Sequence, residues 1–219
     1  MLKYGTIIGN GRTFMIIKIN PQNPQPRLIR RVAETLKEGG VIAYPTDTIY
    51  GLGCDLYQKD AIERVHRIRK LGKNKRLSII CADLTDISKY AHVPDYAYRI
   101  MRSLVPGPYT FILEATKLVP KIMLTNQKTI GIRVPLHNIP LALVKELGHP
   151  IITTSVTKAD KSLYNEPEEI DQMFGKTLNV VIDGGIIVPE HSSIIDFTDE
   201  QPHLLRRGKG DVSFLDQTV

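Results

Sequence analysis

Three short stretches set hydroxyls and an arginine where they can meet one anionic ligand. In Thr129-Ile130-Gly131-Ile132-Arg133-Val134 the alternation of a strand turns Ile130, Ile132 and Val134 to one face and leaves Thr129 and Arg133 together on the other. In Ile151-Ile152-Thr153-Thr154-Ser155 the same alternation sets Thr153 and Ser155 one strand repeat apart on a shared face. Hydroxyls beside a guanidinium can hydrogen-bond phosphate or carboxylate oxygens, and the guanidinium can do so through two parallel N–H donors. On strand arithmetic alone a plainer use is favoured: threonine suits strands, and Arg133 could pair with a surface carboxylate. The third stretch, Pro45-Thr46-Asp47-Thr48-Ile49-Tyr50-Gly51-Leu52-Gly53, packs turn-formers, hydroxyls and close-approach glycines directly after an apolar run. Strand ends are where open α/β sheets place ligands. Its alternative is a capped strand-to-helix turn in which Asp47 satisfies backbone amides.

Other motifs fail on inspection. Gly51-Leu52-Gly53 lacks the third glycine of a dinucleotide fingerprint, since Leu56 stands there, and Gly208-Lys209-Gly210-Asp211 lacks the first glycine and the Ser or Thr of a phosphate-binding loop. The six histidines are dispersed, so each reads as structural or surface, and no pair stands at metal spacing. Cys54 and Cys81 are the only cysteines, too few for a disulfide framework, and both read as reduced thiols.

The elements that position these residues follow from pattern. Pro26 to Glu38 carries Leu28, Ile29, Val32 and Leu36 at helical spacing and is closed by Gly39-Gly40. A second helix is predicted over Asp60 to Lys70 and a third after Asn138 as its cap, closed by Gly148. Strands are predicted at Val41–Tyr44, Ser78–Cys81, Tyr109–Leu113, Thr129–Val134, Ile151–Ser155, Asn179–Ile182 and Ser193–Phe197. Alternating helices and strands predict an α/β fold, a twisted mixed sheet flanked by helices. Residues 1–14 stand apart, as an N-terminal extension or an extra edge strand.

The formal charge of +6, from 29 Lys and Arg against 23 Asp and Glu, favours anionic partners. The excess gathers at Arg64, Arg67, Arg69, Lys70, Lys73, Lys75 and Arg76, either a solvated helix face or a phosphate-contacting run. No stretch approaches the roughly 18 consecutive apolar residues of a membrane span, and the first 14 residues lack a signal-peptide layout, so a cytoplasmic protein without membrane contact is expected.

Taken together, PTDTIYGLG (45–53), PGPYTFIL (106–113), TIGIRVP (129–135), TTS (153–155), SSIID (192–196) and LLRRG (204–208) resemble the YrdC-like family, in order and separation, over nearly the whole chain after Met15. The resemblance implies one YrdC-like domain over residues 15–219 around a large basic cavity. It implies threonylcarbamoyl-AMP synthase chemistry: L-threonine, bicarbonate and ATP with Mg²⁺ give an adenylate used to modify adenosine in tRNA. By the same resemblance Thr46, Arg133, Thr153 and Ser193 would contact the threonine or its carbamate. Thr129, Ser155 and Arg206 would hold the nucleotide, and no protein side chain would ligate a metal.

Two departures point to the YciO-type branch. Synthases carry Lys-x-Arg where this chain has Arg69-Lys70-Leu71, so Arg69 stands in the place of the family's catalytic lysine. They read Thr-Ser-Ala-Asn where this chain has Thr154-Ser155-Val156-Thr157. A leucine cannot bind phosphate, and the arginine fork is not a compact mobile charge. The expectation is a nucleotide-binding protein with reduced or altered synthase activity. The alternative is a non-catalytic protein that binds double-stranded or structured RNA, tRNA included, through the basic cavity.

Overall fold

Pro26 supplies the φ that suits a first helical turn, and Gly39 takes φ +81° after the last one. Between them α1 (Pro26–Lys37) buries Ile29, Val32, Ala33 and Leu36, a single stripe at helical spacing. These details come from a computed structural model that describes residues 7–9, 12–69, 77–124, 126–156 and 163–217. The strands preceding α1 are β1 (Ile7–Gly9) and β2 (Arg12–Lys18), an antiparallel pair. After α1 come β3 (Val41–Tyr44), β4 (Gly51–Asp55), α2 (Lys59–Ile68) and β5 (Ser78–Ile80). Next are α3 (Leu84–Tyr90), β6 (Ala91–His92), α4 (Asp95–Leu104), β7 (Tyr109–Ala115) and β8 (Thr129–Arg133). The chain continues through α5 (Asn138–Leu147), β9 (Ile151–Ser155), α6 (Pro167–Phe174), β10 (Val180–Asp183), β11 (Ser193–Asp196) and β12 (His203–Arg206).

Among the described residues the strands join one mixed sheet, ordered β1-β2-β10-β3-β4-β9-β5-β8-β7-β11-β12, with β6 added to β7. One face of the sheet carries the larger core, where Val41, Leu52, Ile79, Phe111, Ile132 and Val181 meet buried residues of α2, α3, α4 and α6. The other face is covered by α1 and α5 over Ile42, Tyr44, Ile80, Ile151 and Ile182. Further along, that second face changes character. Gly53, Thr153, Ser78 and Gly131 stand side by side on it, each paired to the next across β4, β9, β5 and β8. A run of small side chains lowers the floor of the sheet there.

The Pro45–Tyr50 segment leads into a strand and not a helix: β4 returns antiparallel to β3. A Cβ on Gly53 would stand 2.7 Å from the Tyr44 ring and 2.6 Å from the Ile152 carbonyl, so the close approach these glycines permit is by the chain's own tyrosine. The α5 cap also differs from expectation. His137 is the N-cap, its Nδ1 accepting from the Ile139 amide at 3.3 Å, while Asn138 donates to the Gln22 carbonyl at 2.9 Å. Two residues of a turn compete for one role, and the side chain that reaches a neighbouring loop loses it.

At the far end of β4 and β9, buried Asp55 accepts from the Tyr57 amide at 2.8 Å and faces His149 Nε2 at 3.4 Å. The hydrogen bond to Asp55 raises the His149 pKa above its ordinary value of 6.5, outweighing partial burial. A raised folded-state pKa contributes stability that is complete below pH 6.5 and is lost as pH rises through the folded value. The stability advantage of the unmodified chain over His149→Gln is therefore expected to be largest at about pH 6 and to shrink by about pH 9, read from urea midpoints. No helix among the described residues is long and apolar enough to cross a membrane.

Candidate functional site

Arg133 ends β8 on the second face of the sheet, buried at 7% exposure. Its Nη2 donates to Asp47 Oδ1 at 2.7 Å and to Thr48 Oγ1 at 2.9 Å, so the Pro45–Tyr50 segment reaches across to it. The partner is a carboxylate, as the plainer sequence reading allowed, but a buried one. The other Asp47 oxygen accepts from the Leu136 amide at 3.0 Å, fulfilling the amide-capping role expected of this turn. Burial lowers the Arg133 pKa and Asp47 opposes that, yet a guanidinium stays charged at any physiological pH. Its Nε is buried with no hydrogen-bond partner.

Arg206 ends β12, opposite Ile194 of β11. Its Nε donates to the Ser192 carbonyl at 2.9 Å and its Nη2 to Ser192 Oγ at 3.1 Å, and Ser192 Oγ lies 2.8 Å from Thr110 Oγ1. Burial lowers the Arg206 pKa, and the positive charge of Arg133 lowers it further. Two guanidiniums from opposite parts of the chain thus sit within electrostatic reach of each other. His191 belongs to the same neighbourhood: its Nδ1 is buried without a partner, and burial together with Arg206 lowers its pKa. Lys209 Nζ donates to the Asp47 carbonyl at 2.5 Å.

The hydroxyls named from sequence fall into two groups. Thr129, Thr153 and Ser155 share the second face with Arg133, as strand alternation required; Thr129 and Thr153 are buried and Ser155 is half-buried. The Tyr44 hydroxyl, fully buried beside Thr153 and Arg133, makes no well-formed hydrogen bond, and burial drives its pKa far up. Thr46 and Ser193 hold the scaffold. Thr46 Oγ1 donates to the Ile49 carbonyl at 2.6 Å and accepts from the Thr48 and Ile49 amides, fixing the turn that aims Asp47 and Thr48. Ser193 pairs with Tyr109 on the first face of the sheet; its Oγ donates to the Gly210 carbonyl at 2.6 Å and accepts from the Gly208 amide at 3.0 Å. Its hydroxyl thereby ties down the loop that carries Lys209. Arg69 caps α2 with its amide on the Val65 carbonyl and its side chain half-buried. Lys70, Leu71, Lys73, Lys75, Arg76 and Thr157 lie outside the described residues.

Sequence reasoning missed Ser78, Thr110, Ser192, Tyr44 and Lys209. Strand alternation marks Thr110 and Ser192 only once β7 and β11 are known to be neighbours. Lys209 had only its place between Gly208 and Gly210 to signal it. Chemically, the neighbourhood offers two guanidiniums, an ammonium and a layer of hydroxyls around the carboxylate of Asp47. It is suited to an oxyanion that carries several acceptor oxygens.

The model of the Sua5/YciO/YrdC family, described as Telomere recombination, matches residues 34–208. The YciO protein of Escherichia coli K12 is 42% identical over 196 residues, 89% of this chain and 95% of its own. A crystal structure of E. coli YciO matches with a TM-score of 0.87 at 41% identity, covering 91% of this chain and 98% of that one. The threonylcarbamoyl-AMP synthase of Pyrococcus abyssi is 29% identical over 182 residues, 82% of this chain and 54% of that protein. The crystal structure of P. abyssi Sua5 complexed with L-threonine has a TM-score of 0.83 at 28% identity over 89% of this chain and 57% of that one. With matching folds, and with the site residues on the elements described, the chain belongs to the Sua5/YciO/YrdC family.

Proposed function

We propose that this protein binds an adenine nucleotide and L-threonine in the Arg133–Arg206 neighbourhood and has reduced or altered threonylcarbamoyl-AMP synthase activity. The observation that carries the reading is that the loop after β12 meets the Arg133 site: Lys209 donates to the carbonyl of Asp47, whose carboxylate Arg133 holds, and Arg206 at the end of β12 lies within electrostatic reach of Arg133. Like charges brought together and half-desolvated oppose folding unless an anion joins them. The relatives agree in kind: P. abyssi Sua5 was crystallised with L-threonine, and a P. abyssi relative is a threonylcarbamoyl-AMP synthase.

In this reading Arg133 orients the carboxylate or carbamate of threonine, with Thr153 beside it. Arg206, Thr129 and Ser155 hold the nucleotide phosphates, while Thr46 and Ser193 keep the two loops in place. The reaction is attack of a carbamate oxygen on the α-phosphorus; the bond to the β-phosphate bridging oxygen breaks and pyrophosphate leaves. The guanidiniums stabilise negative charge as it builds on the transferring group. In this reading Mg²⁺ would be carried by the nucleotide phosphates and would neutralise part of their charge.

Supplied with ATP, L-threonine, bicarbonate and Mg²⁺, the protein is expected to release pyrophosphate slowly or not at all while binding adenine nucleotide. Turnover at the rate of an assayed synthase such as that of P. abyssi would remove the claim of reduced activity. Failure to bind either ligand would remove the whole reading.

A further inference from the structure

Asp47 is itself an anion seated where an anionic ligand should go. One of its oxygens accepts from Arg133 Nη2 at 2.7 Å, the other from the Leu136 amide at 3.0 Å, immediately before the His137 cap of α5. A guanidinium, a backbone amide and the positive end of a ten-residue helix are the donors a bound phosphate or carboxylate uses. The carboxylate is only 8% exposed, so its charge is little screened.

The arrangement leaves Arg133 underused. Only Nη2 makes hydrogen bonds among the described residues, and Nε is buried without a partner. Asp47 therefore holds the arginine through one nitrogen, while a ligand oxyanion could take two in parallel. Lys209 donates to the carbonyl of Asp47 and not to its carboxylate, so its ammonium also remains available to a ligand. Arg206 forms no ion pair among the described residues and bonds only to Ser192.

We propose that Asp47 is the specificity-determining residue of this site: a resident carboxylate that competes for Arg133 and must yield it to the oxyanion of the incoming ligand. This rests on the reading of the Arg133–Arg206 neighbourhood as a ligand site, and it adds the ligand's class. Ligands that offer Arg133 no oxyanion leave the Asp47 contact intact, and ligands whose oxyanion takes the guanidinium through two nitrogens displace it.

The test is calorimetric titration of inorganic pyrophosphate, L-threonine and L-threoninamide into the full chain and into Asp47→Asn, with thermal melts of both. Removing the competing charge is expected to tighten pyrophosphate or L-threonine binding at least about tenfold and to leave L-threoninamide, which has no carboxylate, unchanged. Tightening for pyrophosphate alone supports Asp47 as competitor and removes threonine from the proposed function. Unchanged binding by a folded variant overturns the competitor role, even where the unmodified chain binds both ligands and the proposed function stands. Loss of L-threonine binding in the variant also overturns it, by showing that Asp47 holds the ammonium of the amino acid. Should Asp47→Asn not fold, a ligand-bound structure of the unmodified chain decides. The Arg133–Asp47 contact is expected to open from 2.7 Å to beyond hydrogen-bonding distance, and an intact contact with ligand on Arg133 overturns the proposal.

Discussion

Arg133→Met is expected to lower the melting temperature by roughly 10 °C and to abolish measurable L-threonine binding. The two losses have different causes. Arg133 and Asp47 are both buried, and removing one partner of a buried pair leaves an uncompensated charge, at a cost of about 3–5 kcal/mol. For a chain of this length each kcal/mol moves the melting temperature by about 2–4 °C. The methionine fills much of the volume, so the stability loss comes from stranded Asp47 and not from a cavity. Arg133→Met combined with Asp47→Leu should recover most of the melting temperature and none of the binding. Arg133→Lys separates the effects from the other side: it keeps the charge, retains most of the stability, and weakens oxyanion binding about tenfold because an ammonium cannot offer parallel donors. Melts and calorimetry on the four proteins read both quantities.

The second large effect is a gain. Arg69→Lys, Leu71→Arg and Thr157→Asn together restore the synthase pattern, and pyrophosphate release is expected to rise at least about tenfold over the unmodified chain. Arg69 sits at the end of α2 with its side chain half-buried. Lysine in that place is a compact charge on a flexible stem that can follow a transferring phosphoryl group. Leu71→Arg returns a phosphate donor, and Thr157→Asn returns an amide able to donate and accept at once. No increase in turnover, in a triple variant that still binds nucleotide, would show that these three positions are not what separates this chain from the synthases.

Much of the fold and part of the site could be read from the residues alone. Strand alternation correctly grouped Thr129 with Arg133 and Thr153 with Ser155, because one buried face fixes which side every second residue takes. The helix from Pro26 and the strands at Val41–Tyr44 and Ile151–Ser155 were legible for the same reason: a continuous apolar pattern between strong punctuators. The helices α3, α4 and α6 were not, since each buries only two or three residues and shows no long apolar stripe. β4 was hidden by its two glycines, which weaken a strand pattern; the Tyr44 ring lying across them and the Ile152 carbonyl against Gly53 explain their presence.

The site shows the same division. Which residues carry chemistry was visible one strand at a time, but who meets whom depends on strand order, and β7 lies between β8 and β11 for reasons no local pattern encodes. Asp47 illustrates the limit. The turn chemistry suggested it would accept an amide, and it does so from Leu136, 89 positions away, while its other oxygen faces Arg133. Ser192 and Ser193 illustrate it again. Adjacent residues take opposite faces of β11, so one hydroxyl meets Arg206 and the other anchors the loop at Gly210.

The account rests on Arg206 holding the nucleotide phosphates beside the threonine site at Arg133. Calorimetric titration of Mg²⁺-ATP into the unmodified chain and into Arg206→Ala tests this most directly, since Arg206 has no ion-pair partner among the described residues whose loss would disturb the fold. Saturable binding of one nucleotide per chain is predicted, weakened about tenfold or more by Arg206→Ala and weakened further by added salt. Nucleotide binding of equal strength in both proteins, or none in either, would contradict it.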